Sequence, residues 1–156
     1  MTELLLRQTL PLILTLANNG QSVEGRTRFQ KMIFLLIERA PFLKDAYDFA
    51  PQDYGPFAPE LQSDIDDLIK ENFLKGSYKT IEEGKIKYEY TITNKGASFV
   101  KEVLENKQLN KKFRFSKIME LAEEIKSEVN TKSLSALLLE IYQKYPDFAR
   151  FSRYQF

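Results

Sequence analysis

The 156-residue sequence contains no cysteine and no histidine. Lacking cysteine, it can form no disulfide, build no zinc ribbon and do no thiol chemistry. Lacking histidine, it is without the commonest general base and the commonest metal ligand. An excess of one charge is missing too, since 23 Lys and Arg stand against 22 Asp and Glu, a formal net charge of +1. A protein that holds DNA mainly through phosphates is usually more basic, or gathers its charge on one face. Long apolar runs are scarce as well. The run of Leu4-Leu5-Leu6 and Leu10 to Ala17 is interrupted by Arg7 and Gln8, and it falls short of the roughly 20 apolar residues that span a bilayer. The basic leader and small-residue cleavage site of a secretory signal are absent from it. The expectation is a cytoplasmic protein with no membrane contact, no cofactor and no metal.

What is present suits a globular chain with a real core: 43% hydrophobic and 29% charged residues, an ordinary balance for a folded domain. The first helix is predicted over 3–17, with Asn18-Asn19-Gly20 as its stop signal and Pro11 an awkward interior residue. Thr27 and Gln30 have capping-box spacing ahead of an apolar run. The helix they open, about 27–40, has apolar residues nearly all round and a polar strip of Thr27, Arg28, Lys31, Glu38 and Arg39. A helix of that kind is buried on most sides. Pro41 ends it, and an irregular, aromatic-rich stretch runs to Tyr54.

The chain is organised around residues 55–96. Gly55-Pro56-Phe57 opens a third helix, about 56–73, with Phe57, Leu61, Ile65, Leu68 and Ile69 toward the core. Glu60, Asp64, Asp67 and Glu71 recur at spacings of four, three and four, one carboxylate stripe beside that face. Residues 56–72 carry five acids and one Lys, a local charge of −4. Two strands come next, 75–81 and 86–93, the second alternating Ile86, Tyr88, Tyr90 and Ile92 with polar residues. From Lys75 to Lys117 eleven basic residues meet five acids, so positive charge belongs to this hairpin and to the helical segment after it. Helices are then predicted over 95–107, from Ser116 as a cap, and from Ser133 to Pro146, with a basic linker at 108–114 and an aromatic tail carrying Arg150 and Arg153.

This layout predicts a mainly α fold with a small antiparallel β-hairpin. It reads as a winged helix-turn-helix domain over 1–108, with a C-terminal helical extension over 109–156 packed on it. The segments Gly25 to Leu36, Tyr54-Gly-Pro-Phe57, Thr91-Ile-Thr-Asn-Lys-Gly96 and Ile141-Tyr-Gln-Lys-Tyr-Pro146 resemble the small winged-helix families grouped around YwgA-like proteins and the Panacea (SocA-like) antitoxin domain. That resemblance implies a non-enzymatic regulator: in the Panacea group a module that binds a toxin, elsewhere a transcription factor. The residues themselves favour a protein-interaction module, with Glu60, Asp64, Asp67 and Glu71 as the candidate partner-binding face; the C-terminal helices either cover the core or make a homodimer seam. The alternative is a DNA-binding regulator that uses Lys79, Lys85, Lys87, Arg150 and Arg153. An enzyme reading has only Glu83, Lys85, Lys87 and Glu89 on one hairpin, with no partner Asp on a neighbouring strand, and no catalytic residue is assigned.

Overall fold

A computed structural model describes residues 3–80 and 82–156, with side chains from Leu6 onward. Ile81, expected at the end of the first hairpin strand, lies outside them. The fold is mainly helical, 65% of it, with two small antiparallel sheets. In chain order the elements are α1 (Glu3–Gly20), β1 (Val23–Glu24), α2 (Arg26–Arg39), β2 (Ala50–Gln52), β3 (Gly55–Phe57), α3 (Pro59–Lys70), β4 (Leu74–Thr80), β5 (Ile86–Ile92), α4 (Asn94–Glu105), α5 (Lys107–Phe113), α6 (Phe115–Asn130) and α7 (Leu134–Lys144). One sheet has the order β1-β5-β4, and β2 pairs with β3 in the other. Among the described residues no helix is long and apolar enough to cross a membrane.

Helix α2 is the centre of the core. Every residue from Phe29 to Ile37 is buried, which the all-round apolar pattern dictates, and α6 packs against both α2 and α1. Phe115, Ile118, Ala122, Ile125 and Val129 of α6 join Leu10, Ile13, Phe29 and Ile33 in one buried cluster. Lys31, placed by its neighbours in a polar strip, is instead buried with them. The capping box does not form either. Gly25 is the N-cap and Thr27 lies inside the helix, while Gln30 turns away to the backbone of Ala58.

Pro11 does not break α1. Its missing amide leaves the carbonyl of Arg7 without the helical donor four residues on, and the Tyr47 hydroxyl stands 3.0 Å from that oxygen. The helix breaks where the sequence places the stop, at Ala17 to Asn19, with Asn18 and Asn19 in the left-handed region. Helix α6 covers the broken end. The Lys126 ammonium donates to Thr15 O at 3.0 Å and Ala17 O at 2.7 Å, and Asn18 Nδ2 donates to Glu123 O and Ser127 Oγ. Orphan carbonyls at a helix C-terminus are thus met by a buried cation from another helix.

The third helix starts at Pro59, not at residue 56. Gly55 at φ 91 and the pairing of β2 with β3 hold 55–57 extended, and Pro59 takes the first helical position after Ala58. Two more starts differ from the sequence reading. A short helix, α5, occupies most of the expected linker, and Ser116 lies inside α6, where its amide donates to Asn110 Oδ1. Ser133 caps α7 as expected, accepting from Ala136 N.

The hairpin β4–β5 runs outward from the core on a ladder of rings. Phe29 meets Tyr90 at 5.1 Å, Tyr90 meets Tyr88 at 4.9 Å, and Tyr88 meets Tyr78 at 4.8 Å, each edge to face. It exits through Thr93, which accepts from Gly96 N and caps α4. A Cβ on Gly96 would sit 2.2 Å from Phe73 O and 2.8 Å from an Ile92 side-chain carbon. Backbone cannot yield to that, so Gly96→Ala is expected to cost about 1–3 kcal/mol, in the range of overpacking, read as a lower urea midpoint.

Burial lowers Lys31 from 10.5 to about 7 and Lys126 to about 8. The unfolded chain keeps both protonated up to their ordinary value, so between those limits it binds more protons than the folded chain. Stability therefore rises with pH across this window, and the contribution is lost as pH falls through about 7 to 8. Burial raises Tyr47, Tyr90 and Tyr145, which opposes the gain above about pH 10, the ordinary phenol value. Thermal unfolding across this range should show Tm climbing from neutral pH toward about 9.5, with a shallower climb in Lys126→Met.

Candidate functional site

The face of α3 turned away from the core is the candidate surface. Its inner arc is Leu61, Asp64, Ile65 and Leu68, all buried. Glu60, Ser63, Asp66, Asp67 and Lys70 are not part of that arc, and Glu71, the C-cap residue, is exposed beside them. The carboxylates of Glu60, Asp66, Asp67 and Glu71 make no ion pair among the described residues; Asp66 accepts a hydrogen bond from Gln62 one turn earlier. Lys95 reaches the same end of the helix, but its ammonium donates to the backbone carbonyl of Glu71 at 2.8 Å and lies 4.3 Å over the Phe73 ring.

Asp64 does not belong to this face. Only 3% exposed, it receives Arg7 Nε at 2.7 Å, Arg7 Nη2 at 3.2 Å and the Tyr47 hydroxyl at 2.6 Å. Arg7 comes from α1, Tyr47 from the stretch before β2, and Asp64 from α3, so one buried carboxylate ties three segments. Burial and then the hydrogen bond to Asp64 push the Tyr47 hydroxyl above the ordinary phenol range. It therefore stays protonated and can donate. The spacing that united the four acids concealed this, because position 64 falls between 61 and 68 on the inner arc of the helix. The partner-face assignment of Asp64 is corrected accordingly: its charge is met inside the protein, and Asp66 takes its place outside.

The basic residues do not gather on one surface. Lys79 and Lys85 are exposed on the outer half of the β4–β5 hairpin. Lys87 forms an ion pair with Glu24 of β1, and that contact first among the causes lowers the Glu24 carboxyl. Arg150 and Arg153 belong to the tail, which folds back on the body instead of standing free. Phe148 packs edge to face on Phe34 at 4.9 Å, Arg153 N donates to Asp53 O at 2.7 Å, and Tyr142 donates to Ser152 Oγ at 2.7 Å. Tail and hairpin thus rest on different elements. Among the described residues no group of three or more acidic side chains converges as a metal site requires.

A second feature was hidden in the sequence. Between the first turns of α2 and the β2–β3 hairpin lies an open cavity of about 230 Å³, lined by Arg26, Thr27 and Lys31 on one side and by Tyr54, Gly55 and Phe57 on the other. Tyr54-Gly-Pro-Phe57 was legible as a motif, but as the entry to a helix. Nothing in a linear pattern shows that Lys31 meets it, since the contact spans the whole 41–54 stretch.

The exposed and buried acids of α3 should separate cleanly in urea unfolding. Asp64→Ala strands a half-buried guanidinium and a buried hydroxyl, and a loss of about 2–4 kcal/mol is expected, below the cost of a fully dry pair because Arg7 keeps some solvent. Tyr47→Phe should cost about 1 kcal/mol. Glu60→Ala, Asp67→Ala and Glu71→Ala should each stay within about 0.5 kcal/mol of the parent.

No family model matches this chain, and no curated protein matches it.

Proposed function

We propose that the chain is a non-enzymatic winged-helix regulatory module that works by holding another protein. What supports the winged-helix part is the order helix, strand, helix, β2–β3 hairpin, helix, hairpin from α1 to β5, with the first strand paired to the last. What carries the protein-binding part is the outward face of α3. In a winged helix that reads DNA, this helix enters the major groove. Here it would bring Glu60, Asp66, Asp67 and Glu71 against phosphates, with Lys70 the only cation of the helix.

The magnitudes decide between partners. A carboxylate about 4 Å from a phosphate costs on the order of 1 kcal/mol even in water. Four of them oppose binding by roughly 4 kcal/mol before screening, a factor of about 10³. Non-specific duplex binding is itself only about 10⁻⁴–10⁻⁶ M at physiological salt, so little would remain. A basic protein surface meets the same four carboxylates favourably. The resemblance to the Panacea group makes a toxin the partner class of first choice, with the module acting as its antitoxin. The second reading, a transcriptional regulator bound through its wing, draws on exposed Lys79 and Lys85 and needs a docking mode that keeps α3 off the duplex.

Fluorescence anisotropy with a labelled duplex of about 20 base pairs separates the two. The parent chain is expected to show no binding at about 50 mM salt, while the triple variant Glu60→Lys, Asp67→Lys, Glu71→Lys gains salt-dependent binding. Co-purification from the native cell should recover one stoichiometric protein with the parent and lose it with that variant. Parent binding that strengthens as salt falls, and disappears in Lys79→Glu with Lys85→Glu, would establish the DNA reading in its place.

A further inference from the structure

Lys31 is 2% exposed, and among the described residues its ammonium has one hydrogen-bond partner, Pro56 O at 2.9 Å. Among the described residues no carboxylate lies within ion-pair reach of it. A buried cation with a single neutral acceptor is short of compensating charge. The absence of a side chain at Gly55 leaves room for the Lys31 stem, since a Cβ there would lie 3.3 Å from Lys31 Cε. The residues that share its side of α2 add no negative charge. Arg26 is a cation at the cavity mouth, and the Gln30 amide is committed at both ends to Ala58. Helix α2 has no side-chain cap at its N-terminus, so the positive end of its dipole adds to the same field.

The cavity these groups face has room for little. At about 230 Å³ it falls below the roughly 300–1,000 Å³ of sites that enclose drug-sized ligands. Its opposite wall is aromatic, Tyr54 and Phe57, and its rim carries one acid, Asp53, whose carboxylate stands 3.5 Å from Arg153 Nε. A dianion such as a phosphate would meet Asp53 with its second charge, whereas a monoanion with a small apolar body fits both walls.

We infer that this cavity is a binding site for a carboxylate, its charge met by Lys31 and Arg26 and its apolar body by Tyr54 and Phe57. The shared chemistry has two sources: a small free acid, and the C-terminal carboxylate of a peptide. The site is independent of what the α3 face meets. Binding carries a proton signature. Lys31 sits at about 7 because of burial, and a carboxylate beside it favours the charged form, so the complex takes up a proton at a pH of about 8. The other ionisable groups around the cavity are Arg26, Asp53, Tyr54 and, behind Gly55, Tyr142.

Isothermal titration at that pH in two buffers of different ionisation enthalpy tests this on the full chain, with phenylacetate, a tripeptide ending in Leu, and the same tripeptide C-amidated as probes. Saturable binding of phenylacetate or of the free-acid tripeptide, with proton uptake and at least about tenfold weaker in Lys31→Met, is the expected result. Phenylacetate alone identifies a small acid, and the free-acid tripeptide alone identifies a peptide terminus. Thermal unfolding verifies that Lys31→Met is folded; if it is not, Arg26→Ala, at the cavity mouth, should weaken binding about fivefold in its place. Equal binding of the amidated tripeptide, binding unchanged in the variant, or no saturation by any probe up to about 10 mM, the weak edge of specific recognition, overturns the inference.

Discussion

The backbone from Gly55 to Ala58 is held by two polar side chains of a helix that is otherwise apolar on nearly every side. Gln30 exchanges two hydrogen bonds with Ala58, at 3.1 and 3.0 Å, and Lys31 donates to Pro56 O. All of these groups are buried, where an unmet amide or ammonium costs most. The segment they hold is the last piece of chain before α3, so they set where that helix begins and which way its faces point. Moving the start of α3 by one residue would rotate its carboxylates by about 100°. The acidic surface, the buried Asp64 and the cavity beside Lys31 all descend from this one attachment.

A second tie holds the same helix from its middle. Asp64 accepts from Arg7 of α1 and from Tyr47, and the Tyr47 hydroxyl also stands by the Arg7 carbonyl that Pro11 leaves without a donor. A proline that looks like a defect in α1 thereby creates an acceptor near which a tyrosine packs. Lys126 does comparable work at the other end of α1, where the chain breaks at Asn18 and Asn19. Both devices place a polar side chain from a distant segment against helix carbonyls that have lost their own donors.

The outward face of α3 is acidic, with cations at its C-terminal end only: Lys70, and Lys95, whose ammonium is taken by Glu71 O and the Phe73 ring. Unpaired carboxylates line the outside of α3; of the hairpin cations, Lys79 and Lys85 are exposed at its outer half, Lys87 is paired with Glu24, and Lys75 is exposed at its base. The tail is tied down beside β2 through Arg153 N and Asp53 O and on α7 through Tyr142 and Ser152. A near-neutral chain can therefore present one distinctly acidic surface, and the proposed preference for a protein over a duplex rests on the sign of that surface.

Much of this was legible in the residues. The buried α2 followed from an apolar pattern that leaves only a narrow polar strip, the break after Ala17 from Asn-Asn-Gly, the hairpin from the alternation of its second strand, and α7 from Ser133. The capping box at Thr27, the helix start at Gly55 and the cap at Ser116 were misplaced, because other partners outweigh each short signal: Gln30 is taken by distant Ala58, residues 55–57 by the neighbouring strand β2, and the amide of Ser116 by Asn110 six residues before it. By itself the sequence determined the long helices α1, α2, α4, α6 and α7, the β4–β5 hairpin, and that no thiol or imidazole chemistry exists here. Only the tertiary structure decided that Asp64 turns inward and that Lys31 is buried beside a cavity. Periodicity records a residue's position on its own helix, whereas the burial of a charge depends on what distant segment arrives to meet it.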